Sequence, residues 1–353
     1  MASLSEKLNS LWQNIKASSA TIPLKAEIPD DHIIGKENMG LNLETDQHYF
    51  VVRVNEMYLT NSREWFNKID PMVFFISEFN YKGEEISIPY IVGPSLMEKY
   101  GKKTPEGMIF SNTRVAGIHP YKGGKLNFSI ILYQTVRTNY ARKFLQILEN
   151  TSNALDFSNS LSNYIKIGNV VVDGIESFLG LGDTNPLVGF RKEYDPNAGD
   201  KIYTRYFILM NTDEEDINVD LLWVKNDQLY QGENDQELKP FRKADYVLYN
   251  LSIIEQRNDV NTLSFYPLYQ QMIKNAMEAT TEQKWQATKA EMMTLAQDMR
   301  FHADLSKHHY EILREQYIKE MIKEREQAVL GSNLKGGDEA DQEGRKNRDI
   351  LDL

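Results

Sequence analysis

Seven short segments rich in β-branched and aromatic residues constrain the fold of this chain more than any other feature. Apolar side chains recur at every second position within them, as at Leu126, Phe128, Ile130 and Leu132, which is typical of strands. Short, turn-rich links favour antiparallel pairing over βαβ winding. The predicted strands are 48–59, 72–79, 84–92, 125–136, 202–210, 217–225 and 245–254.

A helical insertion at about 139–189 separates the two groups of predicted strands. Its most apolar part is 163–186, where internal charges and glycines make a poor membrane span. The Gly-x-Gly at 180–182 follows a helical pattern, so it does not match a dinucleotide fingerprint. A second phosphate-loop candidate at 101–104 lacks the upstream glycine of a Walker A motif, because Leu96 stands there. We therefore expect a helix packed into a core.

Helices are also predicted at both ends of the chain. Residues 1–20 contain a short amphipathic pattern that predicts an N-terminal helix. From Leu268 to Leu330 there is neither Pro nor Gly, and good helix formers dominate, which predicts a long helix or a helical hairpin. The polar residues 331–353 are predicted to be a disordered tail.

Heptad spacing within the C-terminal helical region predicts pairing with another helix. Spacings of four and three residues alternate between 292 and 317, as in the a and d positions of a coiled coil. The small members of the seam make it weaker than a leucine zipper. The seam consists of Met292, Ala296, Met299, Ala303, Ser306, Tyr310, Leu313 and Tyr317, of which Met292, Met299, Tyr310, Leu313 and Tyr317 are the candidate interaction residues.

These patterns together predict the α+β class. The expected architecture is an antiparallel β-sandwich with a helical insertion, an N-terminal helix and a long, coiled-coil-like C-terminal helical region. The predicted boundaries are 1–20, 21–267, 268–330 and 331–353.

Composition narrows the range of functions. The net charge of −11 disfavours binding to nucleic acid. The chain has no Cys, which removes disulfides, thiolate nucleophiles and cysteine-zinc sites. It also lacks a long uncharged apolar run and the apolar core of a signal peptide. We therefore expect a cytoplasmic protein for which contact with a membrane is disfavoured.

Three histidines lie close together in the segment 301–311, which makes it a candidate metal site. On a continuous helix, Asp304, His308 and Glu311 would share one face, and His302 and His309 would share another. A histidine-carboxylate site is geometrically feasible there. The alternative, which we favour, is that these residues flank the coiled-coil seam.

Loop oxygens suggest calcium as a second metal. The segment 194–200 supplies Asp195, Asn197 and Asp200, and the segment 212–216 supplies Asp213. An EF-hand beginning at Asp195 fails, because its twelfth position is Tyr rather than Glu. A β-turn made by Asp-Pro-Asn-Ala-Gly is the favoured interpretation, so we expect no cofactor, with calcium as the alternative.

His119 lies in a dense loop with Arg114, Tyr121 and Lys122. Such a loop could form a small anionic pocket from cationic side chains and glycine amides. An ordered connection between strands is the favoured interpretation. The sequence shows no nucleophile elbow and no serine in an activating context.

The sequence therefore favours a non-catalytic structural or adaptor protein. It would assemble with itself or with other proteins through the sandwich and the C-terminal helix. A C2-like peripheral membrane or calcium-responsive module is the first alternative. A metal-dependent hydrolase using the cluster at 302–311 is the second.

Overall fold

A computed structural model describes most of the chain. The described residues are 24–35, 39–60, 69–100, 102–103, 108–136, 184–212 and 217–335, together with 13, 146–148, 150, 170–171 and 173–174. The chain divides into two compact units, Met1–Ile254 and Glu255–Leu353. The first unit is built mainly of strands and the second of helices. We call them the β unit and the α unit.

The β unit contains fourteen described strands and the described α-helix α1. The strands are β1 (Leu24–Glu27), β2 (Ile33–Ile34), β3 (Tyr49–Leu59), β4 (Ile69–Tyr81), β5 (Glu84–Val92), β6 (Lys102–Lys103), β7 (Met108–Pro120), β8 (Leu126–Val136), β9 (Thr184–Tyr194), β10 (Arg205–Met210), β11 (Leu222–Lys225), β12 (Gln228–Gln231), β13 (Lys239–Pro240) and β14 (Tyr246–Ile254), and the helix is α1 (Pro94–Tyr100).

The strands form three sheets. A six-stranded sheet has the order β1-β10-β14-β3-β7-β6, and a four-stranded sheet has the order β5-β4-β8-β9. A small third sheet has the order β13-β12-β11-β2. Neighbouring strands are antiparallel except β2 and β11, which are parallel. The predicted mixed α+β class with antiparallel sheets is therefore confirmed.

The six-stranded sheet touches the four-stranded sheet through aromatic side chains. The ring of Phe50 in β3 lies 5.1 Å from that of Phe79 in β4 and 6.0 Å from that of Phe128 in β8. The alternation predicted for β8 explains the contact, because Phe128 and its neighbours two positions away share one face. Leu126, Ile130 and Leu132 on that face are all buried.

The small sheet covers the opposite face of the six-stranded sheet. Its Leu222, Val224 and Leu229 belong to one buried cluster with Tyr206 and Leu248 of the larger sheet. The six-stranded sheet therefore has apolar neighbours on both faces. This explains why β3 and β14 are almost continuously buried rather than alternating.

All seven predicted strands are present, but two long strands were not predicted. Residues 108–120 form β7, although the sequence suggested a loop around His119. Residues 184–194 form β9, so the expectation of a helical insertion extending to 189 is wrong at its end. Within the insertion, the described residues 146–148, 150, 170–171 and 173–174 are helical.

Close packing of β3 against β7 depends on Gly117. Its φ is +91°, and a Cβ atom there would overlap the carbonyl oxygen of Phe50. Only glycine adopts this conformation without strain and also leaves room for the neighbouring strand. The register of the two strands shifts at this place, between Phe50 and Val52.

The α unit contains three helices rather than one. They are α2 (Tyr266–Met277), α3 (Glu282–Arg300) and α4 (Lys307–Lys335). The hydroxyl of Thr281 accepts a hydrogen bond from the Lys284 amide and caps α3. The prediction left open a long helix or a helical hairpin, and the continuous helix is excluded, since α3 ends at Arg300 and α4 begins at Lys307.

The three helices share one hydrophobic core. Its buried members come from every helix and from the segment that precedes α2. They are Leu263, Phe265, Met272, Ala276, Ala279, Trp285, Met292, Leu295, Met299, Leu305, Leu313, Tyr317, Ile318 and Met321. No helix among the described residues is long and apolar enough to cross a membrane. The predicted N-terminal helix, apart from the helical Gln13, and most of the predicted tail lie outside the described residues.

Candidate functional site

A cleft in the described part of the chain lies between strands β1 and β9. Each is an edge strand of its sheet. The cleft has a volume of about 300 Å³ and adjoins a second compartment of about 390 Å³. We call the two together the edge cleft. The first compartment is lined by Lys25, Ala26, Glu27, Phe190, Lys192, Phe207, Ile208 and Tyr249. The second shares Glu27 and Lys192 and adds Glu193, Tyr194, Gly199, Asp200, Lys201, Tyr203 and Arg205.

Strand alternation explains how these side chains meet. Glu27 pairs with Phe207, and Phe207 pairs with Tyr249, so these three residues share one face of the six-stranded sheet. On the other side, Lys192 pairs with Phe128, whose ring faces β3. The edge cleft is therefore built from inward-facing positions at the open edges of two sheets.

One carboxylate lies between two cations in the edge cleft. Glu27 Oε1 is 3.1 Å from Lys192 Nζ, and Glu27 Oε2 is 2.7 Å from Arg205 Nη1. Partial burial opposes ionisation of Glu27, but hydrogen bonds and charge from Lys192 and Arg205 outweigh it and lower its pKa. Glu27 is therefore ionised at neutral pH, and each of its two oxygens already accepts one hydrogen bond.

A third cation lies over an aromatic ring. Lys25 Nζ is 5.0 Å from the centre of the Phe190 ring, within the range of a cation–π contact. Lys25 is exposed, and no carboxylate contacts its ammonium group among the described residues. The charged side chains that line the edge cleft sum to +1, although the whole chain carries −11. They are Lys25, Lys192, Lys201, Arg205, Glu27, Glu193 and Asp200.

Aromatic side chains form the floor and margin. The Phe207 and Tyr249 rings stack at 5.3 Å, and both residues are buried. Lys192 Nζ lies 5.2 Å from the Tyr194 ring centre, and Arg205 Cζ lies 5.4 Å from that of Tyr203. Burial raises the pKa of Tyr194 and of Tyr249 above the ordinary value. These hydroxyls therefore stay neutral.

The predicted calcium residues form a local turn. Asp195 accepts a hydrogen bond from the Asn197 amide at 3.0 Å, and Asp200 accepts one from the Asp195 amide at 2.8 Å. Asp195 also lies 3.2 Å from Lys125 Nζ. These bonds match the predicted β-turn, while Asp213 lies outside the described residues. The described residues contain no group of three acidic or histidine side chains placed to hold a metal ion.

The histidine cluster does not form the predicted helix faces. Asp304 precedes α4, so its alignment with His308 and Glu311 on one continuous helix is wrong. His302 Nε2 instead pairs with the Ser264 hydroxyl at 3.0 Å. His309 is buried, and its Nδ1 accepts from the Arg257 amide at 3.4 Å. These contacts join the segment before α2 to the link between α3 and α4 and to the first turn of α4.

The candidate anionic pocket at His119 is a packing site instead. His119 is buried near the end of β7, and its ring stacks on that of Phe79 at 4.9 Å. Tyr121 donates to the Gly124 carbonyl at 2.7 Å, and Lys122 pairs with Asp46 at 2.8 Å. Arg114 is partly buried in the same strand. The alternative of an anionic pocket is therefore wrong, and the favoured interpretation as a connection between strands is corrected too, because 108–120 belong to β7.

The predicted interaction seam lies within the core of the α unit. Met292, Met299, Leu313 and Tyr317 are buried there, and Tyr310 is partly buried against the same cluster. The segment between α3 and α4 divides the seam between two helices. Burial within the unit accounts for the apolar spacing without a second chain.

A buried ionic cluster joins the small sheet to the six-stranded sheet. Glu56 in β3 accepts from Arg242 Nη2 at 2.8 Å, from the Tyr246 hydroxyl at 2.7 Å and from the Leu229 amide at 2.7 Å. Burial raises the pKa of Glu56, although the Leu229 amide and the Arg242 charge oppose the shift. The Arg242 guanidinium also lies over the Tyr58 ring. This cluster fastens the layers together.

Sequence reasoning did not identify the edge cleft. Lys25 and Glu27 fell before the first predicted strand, and Phe190 and Lys192 followed the predicted insertion. The alternation Phe190, Lys192, Tyr194 was the available signal, but one short run does not show which strand will face it.

Comparison of the chain with protein-family models, with curated proteins and with solved structures gave no significant match. The site is therefore interpreted from its own chemistry.

Proposed function

We propose that this protein is a non-catalytic adaptor that binds a partner protein at the edge cleft. In this proposal the two larger sheets form a β-sandwich scaffold that holds the binding side chains. The partner is another protein or a second copy of this chain. The observation that carries the proposal is the edge cleft, in which four cationic and three acidic side chains surround an aromatic floor.

The composition of the edge cleft supports protein binding. Aromatic residues and arginine are enriched where proteins meet, because they bury large areas and also form directed polar contacts. The partly exposed Phe190 and Tyr203 provide aromatic surface here, beside the buried Phe207 and Tyr249. Arg205 provides a planar charged group. The mixed charges around them favour an orientation-specific contact.

The ionised groups suit binding better than proton transfer. A general acid or base works best when its pKa lies near the working pH. Lys192 and Arg205 lower the pKa of Glu27, whereas burial raises that of Tyr249. Both pKa values are therefore displaced away from neutrality, as expected for groups that hold a fixed charge or donate a hydrogen bond.

A site-specific photo-crosslinker tests the proposal in the full chain. A benzophenone amino acid replaces Lys25 in one protein and Lys239 in a matched control, since Lys239 is an exposed strand residue outside the edge cleft. We expect light-dependent protein adducts of defined mass from position 25, in purified protein or in native extract. Adducts absent at position 25, or equal at both positions, would refute the proposal.

A further inference from the structure

We infer that the edge cleft recognises an extended acidic peptide segment in which a carboxylate side chain lies near an aromatic or aliphatic one. This inference rests on the proposed function and deepens it, because it names the chemistry of the bound segment.

The charge of the site points to an anionic group. Glu27 is shared between Lys192 and Arg205, so one carboxylate already serves two cations. Lys25 is exposed and contacts the Phe190 ring rather than a carboxylate. A carboxylate placed above Phe190 would therefore complete an ion pair without breaking an existing one.

The apolar part of the site points to a neighbouring apolar side chain. The first compartment has the rings of Phe190, Phe207 and Tyr249 in its lining. At about 300 Å³ it is large enough for a bulky side chain. Burial of such a side chain against aromatic rings supplies the main favourable free energy.

The retained carboxylate of Glu27 points to a peptide rather than a polyphosphate. A dense series of phosphates would place like charges beside Glu27, which lies at the junction of both compartments. A peptide carries isolated carboxylates and also backbone amides that can donate hydrogen bonds to Glu27. Because an extended segment points alternate side chains the same way, it can present a carboxylate and an apolar group to one cleft.

Fluorescence anisotropy with a labelled synthetic peptide tests the inference in the full chain. The probe peptide alternates Asp with Leu and Phe, and the control peptide carries Asn in place of each Asp. We expect the acidic peptide to bind more tightly, with an affinity that falls as salt rises. Lys25→Ala should weaken binding about fivefold, the effect of one partly exposed ion pair.

Two further variants separate charge from packing. Phe190→Ala should weaken the binding of both peptides, because it removes the ring that supports the ligand. Lys239→Ala should leave the binding of both peptides unchanged. Circular dichroism establishes that each variant keeps its fold. Equal binding of the acidic and Asn peptides would overturn the inference, as would equal effects of Lys25→Ala and Lys239→Ala.

The outcome also distinguishes the inference from the proposed function. If position 25 crosslinks a protein but the acidic peptide binds no better than its control, the ligand chemistry is wrong and the adaptor function stands. If the crosslinker gives no adduct, the adaptor function itself is wrong. Binding to vesicles of anionic phospholipid that Lys25→Ala abolishes, without peptide binding, would assign the cleft to membranes and overturn the inference.

Discussion

The ionic cluster at Glu56 makes a quantitative prediction for stability. In the variant Arg242→Ala, Glu56 loses the cation with which it pairs but remains covered by the small sheet. The Glu56 side chain is 0% exposed and that of Arg242 is 15% exposed. Removing the guanidinium therefore leaves a carboxylate that water cannot readily reach.

The expected loss follows from the bonds that remain. Breaking a buried ion pair by removing one partner costs about 3–5 kcal/mol in the free energy of unfolding. The Leu229 amide and the Tyr246 hydroxyl still donate to Glu56, so we expect the lower part of that range, about 3 kcal/mol. Arg205→Ala is the matched control, because Arg205 and Glu27 are both about one-third exposed. Breaking that pair should cost at most about 1 kcal/mol.

Urea unfolding followed by circular dichroism measures both variants. Hydrogen exchange at the Leu229 amide adds a local reading, since that amide donates to Glu56. Lower pH should reduce the loss in the free energy of unfolding that Arg242→Ala causes. Burial already raises the pKa of Glu56, and loss of the cation raises it further. A folded-state pKa above the unfolded value means that stability increases as pH falls through it.

The single variant Glu56→Gln and the double variant Glu56→Gln with Arg242→Ala refine the test. The double variant removes both charges, so its cost should be smaller than the sum of the two single costs. A cost of Arg242→Ala no larger than that of Arg205→Ala would refute the reasoning. Additive costs in the double variant would also contradict it, because the two side chains would then not be coupled.

Three further predictions concern other parts of the molecule. Burial and the nearby Arg257 charge lower the pKa of His309 to about 4. The contribution of His309 to stability should therefore be complete above about pH 6.5 and fall by on the order of 3 kcal/mol as pH drops to about 4. Denaturation at several pH values measures this, and His309→Asn should flatten the pH profile. Gly117→Ala should lower the melting temperature more than Gly199→Ala. Both glycines have positive φ, but of the two only Gly117 lacks space for a Cβ atom. Equal shifts in the melting temperature would contradict the packing argument. Met299→Ala should cost about 2–5 kcal/mol by leaving a cavity in the core of the α unit, and an unchanged urea midpoint would show that Met299 does not pack as described.

Local pattern was enough to predict much of the strand structure. The predicted segment 84–92 coincides with β5, and 125–136 differs from β8 by one residue. Alternation of side chains across a strand is a local property, so it can be read without knowing the partner strand. The antiparallel class followed from the short links, which leave no room for crossover helices.

The missed elements depend on distant neighbours. Strand β7 includes the polar run 111–114, which looks like a loop until its pairing with β3 is known. The break between α3 and α4 contains neither Pro nor Gly. Local propensity therefore could not place it, and the shared core of the three helices was needed instead.

The sequence by itself determined most of the strand segments, the helical character of the C-terminal region, the antiparallel class and the net acidic charge of this protein. Only the tertiary structure decided the edge cleft, because Lys25 and Glu27 lie far along the chain from Phe190, Lys192 and Arg205. Pairing of β1 with β10 and of β9 with β8 brings those five side chains to adjacent sheet edges. The role of a charged side chain on an edge strand depends on the residues across the cleft. Strand pairing over long sequence separations places those residues opposite it.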